Sequence, residues 1–191
     1  MTTRLTRITA PAEPLLSDRD AREQCRVTDV GEDYLLAGYV EAVTEYLDAK
    51  SGVLGEALVS QTWRLSMDAA PGGSVVLPLG PVQSVVQIKY FNAAGVETLF
   101  PAINYRLADT VVELVPGAAW PTVEARQIAL WIDFVAGYGA PSAVPATVRQ
   151  LARFMVADLY QNRESGVDQS LRMSDAFKWM FAAARSDRGL F

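Results

Sequence analysis

Apolar residues recur at three- and four-residue spacing toward either end of the chain and at two-residue spacing between, which predicts helices on both sides of a β region. Ser17, with Asp20 three residues on, opens a first helix through Ala21 and Cys25 to Val27, in the manner of a capping box. In a longer second helix Leu36, Tyr39, Val40, Val43 and Leu47 share a stripe. Lys50 falls in its last turn and Gly52 stands where a helix stops. From Leu58 to Met67 the period becomes two, with Val59, Trp63, Leu65 and Met67 on one face. Pro71-Gly72-Gly73 makes a turn, and Val75 to Leu77 and Val82 to Phe91 follow as strands, the second closed by Asn92-Ala93-Ala94-Gly95. Short strands are expected at 97–100, 105–107 and 111–115. A last one runs from Gln127 to Val135, with Ile128, Leu130, Ile132 and Phe134 on one face. Beyond Pro141, Pro145 takes the first helical position, and Val148, Leu151, Met155 and Leu159 mark a third helix to about Arg163. A fourth spans about Ser170 to Arg185, with Phe177, Met180, Phe181 and Ala184 inward.

The order of elements makes this an α+β chain: a bundle of about four helices carrying a central antiparallel β insert. The expected boundaries are an N-terminal arm over 1–16, helices over 17–57, the insert over 58–140, helices again over 141–185 and a tail over 186–191. Neither helical half is long enough to bury a core alone, so the two should pack together.

Half of the 191 residues are hydrophobic and a fifth are charged, which describes a globular chain. One cysteine, Cys25, leaves no intrachain disulfide. No histidine is present, so a Ser–His–Asp triad, a Cys–His pair and a histidine metal site are excluded together. Residues 1–16 lack the apolar run of a signal peptide, and no stretch is long enough for a membrane span. The sequence therefore reads as a soluble protein made in the cytoplasm, with no membrane partner.

The net charge of −5 is unevenly spread: +1 over residues 1–28, −8 over 29–144 and +2 over 145–191. An acidic body grips DNA poorly, because affinity for phosphates comes largely from Lys and Arg. It suits a wall that DNA slides past, and equally an ordinary solvated surface. Glu41, Glu45 and Asp48, at i, i+4 and i+7, are the candidates for an acidic face toward such a channel. Glu32-Asp33 and the acids of the second helix are the visible basis for general acid–base work or an oxygen-ligand metal site, with the solvated face of a helix as the plainer reading. Pro71-Gly72-Gly73-Ser74 lacks the lysine and following helix of a phosphate loop and reads as a turn. No catalytic set, cofactor site or metal site is expected. Arg149 and Arg153, one helical turn apart, read as partners for acids of a neighbouring helix or subunit. Trp120, between Gly117 and Pro121, reads as an exposed interface residue.

Several segments, in order, resemble the head–tail connectors, or adaptors, of long-tailed phages and their gene-transfer-agent relatives. They are Pro14-Leu15-Leu16-Ser17 with Ala21 and Arg26-Val27; Gln61-Thr62-Trp63-Arg64-Leu65; the run from Leu77 to Val85; and Asn104-Tyr105-Arg106-Leu107. Pro116-Gly117 with Trp120-Pro121, then Ala136-Gly137-Tyr138-Gly139, Val144-Pro145 with Arg149-Gln150, and Tyr160 to Glu164 complete the set. The resemblance covers Pro14 to Arg185, leaving out the N-terminal arm and the end from Arg188 to Phe191.

That resemblance implies a helical bundle with a β insert and a purely structural task. Such proteins form a ring, typically a dodecamer, beneath the portal protein, prolong the channel for double-stranded DNA without reading its sequence, and present a platform to stopper and tail-terminator proteins. It also places a portal contact at the C-terminal end. There Arg185 and Arg188 could pair with partner carboxylates, and Leu190 and Phe191 could each contribute roughly 1.5–3 kcal/mol if buried in a partner groove. The protein is thus expected in the neck of a virion or gene transfer agent particle, assembled in the bacterial cytoplasm. Two rival readings are a tail-completion or receptor-binding component and a carboxylate–metal enzyme.

Overall fold

The computed structural model describes residues 2–162 and 175–186, apart from the side chains of Val30, Asp175, Ala176, Arg185 and Ser186. The chain divides into two compact units, Met1–Ala12 with Ser60–Tyr138 and Glu13–Val59 with Gly139–Phe191.

The first unit holds eight strands: β1 (Thr3–Thr9), β2 (Gln61–Met67), β3 (Val75–Val76), β4 (Val82–Phe91), β5 (Glu97–Phe100), β6 (Tyr105–Ala108), β7 (Val111–Leu114) and β8 (Leu130–Ala136). They make a five-stranded antiparallel sheet in the order β1-β2-β8-β4-β5 and a three-stranded one in the order β3-β7-β6. Register sorts the side chains by face. Leu5, Leu65, Ile132, Ile88 and Phe100 align across all five strands, and the last four are buried. The next row, Thr6, Arg64, Asp133 and Gln87, lies on the other face. The β4–β5 hairpin turns where expected. Asn92 Oδ1 accepts from the Ala94 and Val96 N–H groups, and Gly95 takes the positive φ of 75° that its turn requires.

β1 departs from expectation, since an arm ahead of the helices was foreseen there. Its row TRLTRIT is almost entirely exposed and holds only two large apolar residues. It is an edge strand held by backbone pairing with β2, and backbone pairing leaves little trace in a hydrophobic pattern.

The second unit holds α1 (Asp18–Cys25), α2 (Asp33–Leu47), α3 (Ala146–Gln161) and α4 (Asp175–Ser186). α1 starts at the foreseen capping box and ends at Arg26 in the left-handed region. Leu36, Val40, Val43 and Leu47 of α2 pack with Val148, Leu151, Ala152 and Val156 of α3 as the core. α2 stops at Leu47, so Lys50 lies outside its last turn. Gly52 serves by close approach: a Cβ there would come within 2.2 Å of the Asp48 carbonyl oxygen. On α4, Phe177 stacks on Phe181 at 6.3 Å, Met180 is buried and Trp179 is exposed.

Candidate functional site

The sites are built from three clusters, two in the helical unit and one in the β unit. The first begins at the α1 cap. Ser17 Oγ accepts from the Asp20 N–H at 3.1 Å, and Asp20 Oδ2 accepts from the Ser17 N–H at 3.1 Å and its hydroxyl at 2.6 Å. The other Asp20 oxygen receives the Arg153 guanidinium from α3. The Ser17 hydroxyl, with Arg153 adding to it, holds the Asp20 carboxyl below its usual range against the opposing effect of burial. Arg153 is nevertheless incompletely satisfied, for its Nε is buried without an acceptor. One turn earlier Arg149 donates from Nε to the Val144 carbonyl at 3.1 Å, and none of the described acids pairs with it. Both arginines line an open cleft of about 270 Å³, floored by the buried Leu15 and Leu16.

The second cluster is the outward face of α2. With Leu36, Val40, Val43 and Leu47 turned to the core, helical spacing puts Tyr34, Gly38, Glu41 and Glu45 together on the opposite side. Glu41 and Glu45 are exposed, and Tyr34 is 93% exposed. Asp48 does not belong with them, although its sequence spacing put it there. The helix has ended, and the 5%-exposed Asp48 side chain turns inward, where Oδ1 accepts from the Leu58 N–H at 2.7 Å. It fixes the return of the chain from α2 toward β2 and cannot face a channel.

The third cluster lies in the β unit, and sequence reasoning missed it. Arg64 of β2 grips Asp133 of β8 with two parallel bonds, Nε to Oδ1 at 2.7 Å and Nη2 to Oδ2 at 2.9 Å. Gln87 of β4 adds a third to Oδ2 at 2.8 Å. Burial alone would raise the Asp133 carboxyl, but the Arg64 and Gln87 hydrogen bonds outweigh it and hold the group below its usual range. The available signal was an aspartate flanked by Trp131, Ile132 and Phe134, in a strand with too few polar residues to leave one face wet. Trp120, expected as an exposed interface residue, is half-buried. Its Nε1 donates to the Gly73 carbonyl at 2.7 Å, and its ring stacks on Phe100 at 5.4 Å.

Among the described residues no three Cys, Asp or Glu side chains are placed to hold a metal ion, and no helix is long and apolar enough to cross a membrane. The Arg185 side chain, Arg188, Leu190 and Phe191 lie outside the described residues. The arrangement leaves Glu41, Glu45 and Tyr34 exposed on one face of α2.

No family model matches the chain, and no curated protein matches it. Solved structures do. A chain from the neck of an empty gene transfer agent particle, computed with C6 symmetry, is 28% identical over 95% of both chains, with a TM-score of 0.76. A chain from the virion of a native gene transfer agent particle is 26% identical over 95% of this chain and 94% of that one, with a TM-score of 0.70. One from the neck of a native particle, computed with C12 symmetry, is also 26% identical over the same shares, with a TM-score of 0.69.

Proposed function

We propose that this chain, which belongs with the head–tail connectors of long-tailed phages and gene transfer agents, is the adaptor that prolongs the portal channel and carries the stopper. It is a structural neck protein and not an enzyme. The observation that carries the finer reading is the near-complete coverage of neck chains at 26–28% identity, which extends through both units and not the fold of one alone.

In this role copies of the chain close into a ring, for which the C12 symmetry of a matched neck suggests twelve. DNA passes through without base-specific contact. The acid surplus of residues 29–144 favours a bore that repels phosphates, an effect screened beyond about 8–10 Å at physiological salt. Portal binding is assigned to Arg185, Arg188, Leu190 and Phe191, and tail attachment to the opposite rim of the ring.

A reconstruction of intact particles tests this. The chain is expected at the neck, coaxial with the portal, and its deletion should leave DNA-filled heads and separate tails that do not join. Complete particles from the deletion strain would refute the adaptor role. Removing residues 186–191 should abolish co-sedimentation with portal rings at an unchanged Tm; unchanged co-sedimentation would refute the C-terminal portal contact.

A further inference from the structure

A cyclic ring of identical subunits requires two different patches on each copy, one facing forward and one back. Given the ring just proposed, on which this inference rests, the helical unit carries two patches that fit that demand. One is the outward face of α2, with Glu41 and Glu45 one helical turn apart and no ion-pair partner among the described residues. The other is the cleft that holds Arg149 and Arg153, also one turn apart on a helix.

We infer that the α2 face of one subunit docks in the Arg149–Arg153 cleft of the next, and that this contact closes the ring. The spacing argues for it. Residues four apart on a helix stand about 6 Å from one another, so two such pairs of opposite charge match when the helices lie alongside. Charge capacity argues for it as well. Arg149 has no ion-pair partner among the described acids, and Arg153, though paired with Asp20, keeps about a third of its side chain exposed at the rim; Glu13 and Asp20 line the same cleft, so Arg149 carries the unshared positive charge. An aromatic anchor completes the patch. Tyr34 is 93% exposed on the acid face, and a Cβ on neighbouring Gly38 would meet nothing within 4 Å, so the surface beside the ring is open. Tyrosine and arginine are the residues that interface energy favours, and a solvated channel wall needs neither. Glu41 and Glu45 are thereby assigned to the subunit contact and not to the bore.

The test exchanges the charges. The wild-type chain, E41K/E45K and R149E are each purified at full length. They are then followed by native mass spectrometry and negative-stain microscopy, alone and with portal-bearing heads that lack this protein. Each variant should keep the wild-type Tm and raise the concentration needed for rings by about tenfold or more. Mixing the two should restore association, because the intact acid face of R149E meets the intact cleft of E41K/E45K. Should a reversed-charge variant melt early, E41Q/E45Q and R149M replace it, with the same expected loss. Rings from either variant at wild-type concentration would overturn the contact and leave the adaptor role standing. Normal rings that no longer bind heads would overturn it too, by giving the face to the portal. Failure of the wild type to ring in either setting would overturn the adaptor role itself.

Discussion

Among the described residues each unit contains one arginine–aspartate pair that joins parts of the chain more than sixty residues apart, and the two pairs are placed oppositely. Arg64–Asp133 spans 69 residues and sits within the five-stranded sheet, its carboxylate 6% exposed and held by a third side chain, Gln87. Arg153–Asp20 spans 133 residues and sits at the rim of an open cleft, with both side chains about one-third exposed. The chemistry is shared, but the surroundings decide what it can do. A carboxylate enclosed by three strands has its bonding capacity filled from within and specifies which strands pair. A guanidinium at a rim, about one-third exposed, stays within reach of a second molecule.

The comparison breaks first at Arg64. Arg64→Met strands a buried carboxylate and should cost about 3–5 kcal/mol in urea unfolding, whereas a solvated pair contributes at most about 1 kcal/mol. A loss below 1 kcal/mol would show the sheet pair to be no different from a surface pair. Asp48→Ala comes next, since the Leu58 N–H then loses its buried acceptor. It should lower stability by about 1–3 kcal/mol without affecting a ring contact made by Glu41 and Glu45.

The smallest effect is expected at the rim. Ser17→Ala removes the cap and should cost about 1 kcal/mol at pH 7. Asp20 has a folded pKa below its unfolded value of about 3.9, so its stabilisation is present above that pH and lost as pH falls through the folded value. Ser17 is the largest contributor to that depression, so the gap between variant and wild type should narrow below about pH 4. A gap that widens in acid would contradict the assignment.

How far these features were legible in the sequence follows from which groups carry them. The α1 start was readable because a capping box is written in residues three apart, and the β4–β5 turn because Asn92 and Gly95 have local reasons to be there. β1 was not, because an exposed edge strand is held through its backbone. Asp48 was assigned to a solvated face by spacing and Asp133 was not singled out at all, and each is buried and held by a partner outside its own element. Spacing on one element reports which residues share a face and is silent on what covers that face. For the same reason the Arg149–Arg153 pair could be picked out, while the cleft around it, built from residues 13–20 and 140–142, could not.

The strand order also has a consequence for how the protein is made. β8 lies between β2 and β4, yet it is the last strand of its sheet to leave the ribosome. β2 is complete about 60 residues earlier, a wait of roughly 3–12 s at ordinary rates of synthesis. During that interval β2 has only β1 beside it, and its apolar Trp63, Leu65 and Met67 are without the strand that will cover its other edge. α1 and α2 wait longer still, for α3 follows β8 in the chain. Both units are therefore finished almost together, late in translation. A nascent chain with an unpaired strand and two uncovered helices is the state most open to mispairing with its neighbours on a polysome, so slow codons placed before β8 should reduce the yield of soluble protein more than the same codons placed after α3.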